Sequence, residues 1–360
     1  MIAGGGTGGH VWAGVAVADA WRVRFGKEAE VQFVGAEGGL EEKLVPRSGY
    51  PLTVLRLGSL NRVSLKRRLR TVFQLPLSIM RSFLIVRRMK PDAVLGVGGY
   101  ASGPLVLAAS FFGSKSRKTA ILEQNSIPGL TNRWLGKFVD LVFAAFPGTE
   151  PRFPGKRVEV CGNPVRAQMR PLAAAKRDLF TIFIFGGSQG AKGVNTLVID
   201  SLPLLADLRG KIRFVHQTGE ADFDRVAKAH EAAQFGSRVE KFIYEMEAAY
   251  AESSLLICRS GSSTMAEVAA VGRAAVFVPL PTAADNHQET NARVFSDAGA
   301  AFLLLQNQST GADLAKLIRE LVTNPSQIDT IETAVKKFYR PNSATDIVAS
   351  LSASFSKENS

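Results

Sequence analysis

The sequence predicts a parallel α/β protein built as two doubly wound domains, and three observations predict it. Short apolar strands alternate with amphipathic helical stretches, glycine-rich loops follow several strands, and the alternation restarts near mid-chain. At 360 residues the chain exceeds the usual size of one compact domain and can bury two cores. With 46% hydrophobic and 21% charged residues, 33 glycines and only Cys161 and Cys258, the composition excludes disorder, a collagen-like repeat and a disulfide scaffold. Two lone thiols suit a reducing compartment. Met1-Ile2-Ala3-Gly4 lacks the basic and apolar regions of a signal peptide, so the protein is expected in the cytoplasm.

In the first half, Met1 to Ala3, Glu30 to Val34, Ala93 to Gly96, Lys118 to Leu122 and Leu141 to Ala144 read as buried strands, each a short apolar run. A Pro- and Gly-rich passage from Phe146 to Pro154 precedes Val158 to Cys161, and the domains are expected to join near Gly155 to Gly162. The pattern restarts with Phe180 to Phe185, Arg213 to Gln217, Leu255 to Cys258, Ala275 to Pro279 and Ala301 to Leu305. The expected domains are residues 1–161 and 162–340, with a final helical segment, 341–360, returning to the first. Ligands of such sheets bind beyond the carboxyl ends of the strands, which points to a cleft between the domains.

The net charge is +12, and it is local. Between Glu42 and Asp92 there is no acidic residue but twelve bases: Lys43, Arg47, Arg56, Arg62, Lys66, Arg67, Arg68, Arg70, Arg81, Arg87, Arg88 and Lys90. Removing those twelve from the 44 Lys and Arg leaves 32, equal to the 32 Asp and Glu elsewhere. Two apolar series at helical spacing run through this stretch: Leu69, Val72, Phe73, Pro76, Met80, Phe83 and Leu84, with Leu75, Ile79 and Val86 beside them. A helix with two apolar faces flanked by bases can pack one face on its domain and lay the other on an anionic phospholipid surface, each base adding about 1 kcal/mol. An ordinary core helix with solvated basic ends is the plain alternative. Nucleic acid is not expected, since the stretch lacks the aromatic stacking residues of single-strand binders. The uncharged run from Ala93 to Ser114 approaches spanning length, but Gly96, Gly98, Gly99, Ser102, Gly103 and Pro104 interrupt it, so a peripheral protein is expected.

Three glycine loops follow predicted strands: Gly4-Gly5-Gly6-Thr7-Gly8-Gly9-His10, Gly96-Val97-Gly98-Gly99-Tyr100, and Gly186-Gly187-Ser188-Gln189-Gly190. Each can present backbone N–H groups and a helix amino terminus to a phosphate. Gly4, Gly6 and Gly9 satisfy the dinucleotide fingerprint, yet the expected acid is poorly placed: Glu37 lies beyond Gly35. An NAD-dependent oxidoreductase is therefore disfavoured.

Seven ordered motifs carry a resemblance that covers nearly the whole chain: GGGTGGHV at Gly4, GVGGYASGP at Gly96, EQNSIPGLTN at Glu123, GNPVR at Gly162, GGSQGA at Gly186, RSGSSTMAE at Arg259 and DNHQETNA at Asp285. Together the chain resembles the MurG family, bacterial transferases that add N-acetylglucosamine to the lipid-linked muramoyl-pentapeptide precursor of peptidoglycan. The resemblance implies a GT-B fold of two Rossmann-like domains facing a central cleft, the acceptor in the first and the UDP-sugar in the second. It also implies an inverting transfer from UDP-N-acetylglucosamine to the 4-hydroxyl of the acceptor (lipid I to lipid II). The implied location is the cytoplasmic face of the plasma (inner) membrane, beside other cell-wall synthesis proteins. The chain departs from the family in a short first strand, in Trp12-Ala13 where an aromatic residue and proline are usual, and in Ser262 where alanine is common.

Transfer needs a base for the attacking hydroxyl and stabilisation of the leaving diphosphate. His10, which titrates near neutrality, is the first candidate base; it could instead only bond a phosphate or a carbonyl. Glu123 is the second, unless it caps a helix. Thr7, Gly8 and Gly9 are expected at substrate, and Gly98, Gly99 and Tyr100 at the acceptor diphosphate. Arg166 would pair with the donor diphosphate bidentately or form an interdomain salt bridge, and Ser188 would join it on the diphosphate. The resemblance implies that Asn125, His287 and Gln288 read the sugar, supported by Asn291, and that Ile243 sits against uracil through its backbone, with Met246 nearby. It assigns Glu267 to the ribose hydroxyls, with a first-turn helix acid as the plain reading, and Ser262, Ser263, Thr264, Met265 and Ala266 to the same nucleotide loop. No cofactor is expected. No metal is expected either: Asp222 and Asp224 fall in Glu220 to Lys228, which reads as a helix where i and i+2 do not share a face, and His216 and His230 read as structural. Two other readings remain: a UDP-N-acetylglucosamine epimerase of similar layout, and a non-catalytic membrane-attached scaffold.

Overall fold

The computed structural model describes every residue except Glu28, 56–64, Tyr100, 113–116, 174–178, Ser188 and 354–360, and for 65–75 it describes the backbone alone. The chain divides into two compact units, Met1–Ala167 with Arg340–Ser360, and Gln168–Tyr339.

In the first unit the order is β1 (Ile2–Gly4), α1 (Gly8–Phe25), β2 (Phe33–Ala36), α2 (Glu41–Arg47), β3 (Leu52–Leu55), α3 (Leu65–Met89), β4 (Ala93–Gly98), α4 (Ser102–Phe111), β5 (Lys118–Glu123), α5 (Leu130–Leu135), β6 (Leu141–Ala144) and β7 (Arg157–Val160). Its strands pair in parallel in the order β3, β2, β1, β4, β5, β6, β7. The second unit runs β8 (Phe180–Phe185), α6 (Lys192–Ser201), β9 (Ile212–Gln217), α7 (Phe223–Ala233), β10 (Gly236–Glu240), α8 (Met246–Glu252), β11 (Leu255–Cys258), α9 (Ser262–Val271), β12 (Ala275–Phe277), α10 (His287–Ser296), β13 (Phe302–Leu303), α11 (Gly311–Thr323) and α12 (Pro325–Val335). Its parallel sheet is ordered β10, β9, β8, β11, β12, β13. Each order reverses beside the unit's first strand, between β1 and β4 and between β8 and β11. Loops leaving those two strands part company there, and the divergence opens a crevice at their carboxyl ends.

Central strands anchor these crevices. All six residues of β4 and of β8 are buried, as expected for strands covered on both faces. Each fully buried side chain such as Val94, Leu95, Ile182 or Ile184 contributes about 1.5–3 kcal/mol. The loops therefore leave rigid supports.

The last helix, α13 (Ser343–Ser352), follows the second unit in sequence but belongs to the first. Ile347, Val348 and Leu351 are buried in the core that also holds Val11, Val15 and Ala18 of α1. The Ser343 hydroxyl donates to the Gly162 carbonyl at 3.0 Å, tying the returning chain to the outgoing one.

Several strands differ from their sequence expectation. β2 starts at Phe33 rather than Glu30, because Glu30 is exposed and Gln32 half-buried ahead of the buried Phe33 and Val34. β13 contracts to two residues at a sheet edge. Two edge strands, β3 and β10, are additions: their half-exposed sequences LTVL and GSRVE lack a continuous apolar signature. The segment expected as one helix from Glu220 to Lys228 is a 3-10 turn over Glu220–Asp222 followed by α7. Cys161 and Cys258 are free and buried, and burial pushes the Cys161 thiol up to about 12 and raises that of Cys258, so neither is a reactive thiolate.

Candidate active site

In the first unit the crevice is formed by the loop after β1 and the loop after β4. Thr7, in extended backbone, caps α1, its Oγ1 accepting from the His10 N–H at 3.5 Å, and Gly8 and Gly9 begin the helix. The His10 ring turns back onto the loop, with Nδ1 3.0 Å from the Gly5 carbonyl oxygen. A carbonyl only accepts, so Nδ1 carries the proton, and in the neutral ring Nε2 keeps its lone pair. On its other side the ring lies against Gly98. A Cβ there would stand 2.8 Å from Nε2 and Cδ2, and the φ of +107° already excludes ordinary side chains. Ser102 fixes Gly98, donating to the carbonyls of Ala3 and Gly98 and accepting from the Gly98 N–H. Gly99 packs on the Gly5 backbone, and Tyr100 lies outside the described residues.

Glu123 ends β5 and is 1% exposed. Its Oε1 accepts from the N–H and Nδ2 of Asn125, and its Oε2 from the Gly129 N–H and the Asn132 Nδ2. Burial raises its carboxyl above the usual range while these four donors pull it down. Both oxygens are thus engaged in holding the loop to α5, a helix that has no side-chain cap of its own. Asn125 is part of the same clamp. Arg166 lies in this unit, its guanidinium carbon 4.7 Å from the centre of the Trp12 ring, two residues beyond His10.

In the second unit, loops after β8, β11 and β12 surround a cavity of about 580 Å³, lined among others by Gly187, Gly190, Lys192, Arg259, Thr264, Gln288 and Gln306. The amino ends of α6 and α9 adjoin it, which suits an anion. Arg259 donates to the carbonyls of Val278 and Pro279 and to Gln306 Oε1. Burial lowers its guanidinium to about 10, so it stays charged at neutral pH. Ser188 lies outside the described residues. Gln217, at the end of β9, joins two loops, donating to the Gly187 carbonyl and accepting the Ile243 N–H at 2.8 Å. Thus the Ile243 amide is engaged within the protein. Met246 opens α8 and is half-buried.

Ser262, Ser263 and Thr264 form the half-buried first turn of α9, with Ala266 beyond. Met265 has its side chain 0% exposed in the core, and its N–H bonds the Gly261 carbonyl. Glu267 stands past the first turn and accepts from the buried Tyr250 hydroxyl at 3.1 Å. Gln288 lines the cavity and accepts the Leu280 N–H, while its carbonyl accepts from Ser260. His287 donates from Nδ1 to the Ala284 carbonyl at 2.6 Å, and Asn291 is fully buried below. The loop before them is strained, with Asp285 and Asn286 both left-handed. Asp222 is taken by Arg225 and Asn195.

Sequence reasoning missed Gln217, Arg259, Lys192 and Gln306. Arg259 and Lys192 carried a signal, since they adjoin glycine loops; Gln306 carried none.

Two Rossmann-like units with crevices of this kind define the GT-B class of two-domain α/β enzymes. Residues 1–144 match the glycosyltransferase family 28 N-terminal domain and residues 181–347 the glycosyltransferase family 28 C-terminal domain. A UDP-N-acetylglucosamine--N-acetylmuramyl-(pentapeptide) pyrophosphoryl-undecaprenol N-acetylglucosamine transferase from Syntrophus aciditrophicus is 44% identical over 98% of both chains. The crystal structure of Acinetobacter baumannii MurG matches 98% of both chains at a TM-score of 0.77 and 31% identity. The chain belongs to glycosyltransferase family 28, and within it to the MurG family. A UDP-N-acetylglucosamine 2-epimerase from Neisseria meningitidis matches 97% of this chain and 98% of its own at a TM-score of 0.66 but 14% identity, a likeness of fold alone.

Proposed function

We propose that the chain transfers N-acetylglucosamine from UDP-N-acetylglucosamine to the 4-hydroxyl of lipid-linked N-acetylmuramoyl-pentapeptide with inversion. The observation that carries this reading is the His10 imidazole, its Nδ1–H bound to the Gly5 carbonyl at the switch point of the first sheet. The near-full-length relative named for this reaction supports the substrates. In this scheme His10 Nε2 takes the 4-hydroxyl proton as the oxygen bonds C1 of the donor sugar and the C1–O bond to UDP breaks. Gly98, Gly99 and Tyr100 hold the acceptor diphosphate. The glycine loop with Ser188, Lys192 and Arg166 holds that of UDP, whose growing charge faces helix amino ends. Glu267 takes the ribose, Ile243 and Met246 the uracil, and Asn125, His287 and Gln288 the sugar. No residue of this scheme calls for a metal.

Membrane attachment fits the same unit. From Pro76 onward α3 buries Ser78, Ser82 and Val86, while Leu77, Met80 and Leu84 are exposed. The exposed face continues into a row of rings: Phe83 packs on Phe112 at 4.8 Å and Phe111 on Phe138 at 5.2 Å, with Trp134 61% exposed beside Lys137. Apolar surface of this extent rimmed by Arg81, Arg87, Arg88 and Lys90 suits an anionic bilayer. The side chains of Arg67, Arg68 and Arg70 lie outside the described residues. Among the described residues no helix is long and apolar enough to cross a membrane, and the reading is a peripheral protein on the cytoplasmic face, among cell-wall synthesis proteins.

The test is transfer of labelled N-acetylglucosamine to a short-chain lipid-linked muramoyl-pentapeptide with chelator present. Product is expected, and His10→Ala is expected to lower kcat by about 10²–10⁴. Turnover of the UDP-sugar without acceptor would instead establish an epimerase.

A further inference from the structure

Glu41 is fully buried at the start of α2, and no sequence pattern marks it. Its Oε1 accepts from the Ala36 N–H and its Oε2 from the Gly6 N–H, both at 2.8 Å. Its carboxylate fills the space where side chains at Gly5 and Gly39 would stand: a Cβ at either would lie 1.9 or 2.1 Å from a carboxylate oxygen. The Gly6 N–H belongs to the same planar peptide as the Gly5 carbonyl. That carbonyl accepts from His10 Nδ1 at 3.0 Å. One amide therefore has a carboxylate at its N–H end and the imidazole at its C=O end.

We propose that Glu41 is a positioning residue that acts on His10 through the Gly5–Gly6 peptide; the proposal deepens, and for its catalytic consequence rests on, the reading of His10 as base. A carboxylate at the N–H draws electron density toward the carbonyl oxygen and makes it a better acceptor, because hydrogen bonds in a chain reinforce one another. The stronger bond holds the proton on Nδ1, keeps Nε2 as the acceptor and favours the imidazolium that forms when a proton arrives. An aspartate does the same for the histidine of a serine protease by direct contact; here a peptide unit stands between. Burial amplifies the effect by excluding water from the Glu41 side. Of the other charged groups near the loop, Glu42 accepts from the Gly38 N–H and Arg166 lies over Trp12. The preceding Gly4–Gly5 peptide is held as well, its Gly5 N–H donating to the Gly98 carbonyl at 3.1 Å.

The test is the titration of His10 in the full chain by imidazole NMR, where four histidines give a countable spectrum and His10→Ala assigns the signal. In Glu41→Gln, His10 is expected to titrate about 0.5 to 1 pH unit lower. The acid limb of the transfer profile should move with it, kcat falling roughly tenfold with KM for the UDP-sugar unchanged. A folded Glu41→Gln chain whose His10 titrates as in the wild type overturns the proposal. Should that variant not fold, the wild-type Gly6 amide decides: its proton shift must follow the His10 titration, and an amide that ignores it refutes the relay. If His10→Ala retains full transfer, the base reading fails, while the two NMR readouts still judge the relay.

Discussion

His216 and His230 face each other in the interior of the second unit, His216 Nδ1 3.1 Å from His230 Nε2, with Asn195 beyond one ring and Ser237 beyond the other. Burial holds His216 down at about 3 and His230 at about 4. The folded rings stay neutral while the unfolded chain takes up protons below about pH 6.5, so their contribution is complete above that pH and lost as pH falls toward 4. Each should cost about 2 kcal/mol of stability at pH 5. Urea unfolding followed by far-UV dichroism at pH 7 and pH 5 should show the loss, and His230→Gln should flatten it; equal stability at both pH values would contradict the assignment. At this scale the sequence was legible in the glycine loop that closes at His10, which the fold sets at the switch point of the first sheet. It was not legible at Glu41, whose partner Gly6 is 35 positions away. Nor could a string of letters separate Met265, which points into the core, from Thr264 beside it, which lines the cavity.

Among the elements, α3 follows the helical spacing read in its sequence over Leu65–Met89. Of its two apolar series, Val86 is buried and Met80 and Leu84 are exposed, while the side chains of Leu69, Val72, Phe73 and Leu75 lie outside the described residues. The row of rings beside it was not foreseen, since Phe111 and Phe112 stand at the end of α4, Trp134 lies in α5 and Phe138 in the turn after it, and they meet only in the fold. Edge strands β3 and β10 escaped for the opposite reason: one face of each is wet, so neither reads as a buried run. Replacing Phe111 and Trp134 together with serine should weaken binding to anionic vesicles roughly tenfold or more, since each removes apolar surface worth on the order of 1–2 kcal/mol. UDP affinity and thermal stability should not move, because both side chains are mostly solvated in the free protein. A sedimentation assay with vesicles of graded charge checks this, and unchanged binding would remove the patch from the membrane face.

At the scale of the whole molecule, the parallel sheets and their restart near mid-chain were legible from strand periodicity, while the seam at Ala167 required the contacts themselves. The second unit is one continuous segment with its own core, from Ile182 and Phe214 to Leu314 and Ile328. Expressed alone, residues 168–339 should unfold cooperatively. A chain ending at Tyr339 should instead lose the order of the first unit, because removing α13 strips Ile347, Val348 and Leu351 from its core, at about 2–5 kcal/mol for each large side chain deleted. All three tryptophans, Trp12, Trp21 and Trp134, lie in that unit, so their fluorescence reports on it selectively; an unshifted native emission spectrum would count against the role of α13. The returning helix also sets a timetable on the ribosome. Translation at about 5–20 residues per second delivers the closing segment on the order of ten to forty seconds after Ala167. The unit that carries the exposed rings thus lacks part of its core until the second unit has been synthesised, and a nascent chain released early would leave α1 without the α13 side chains that cover it.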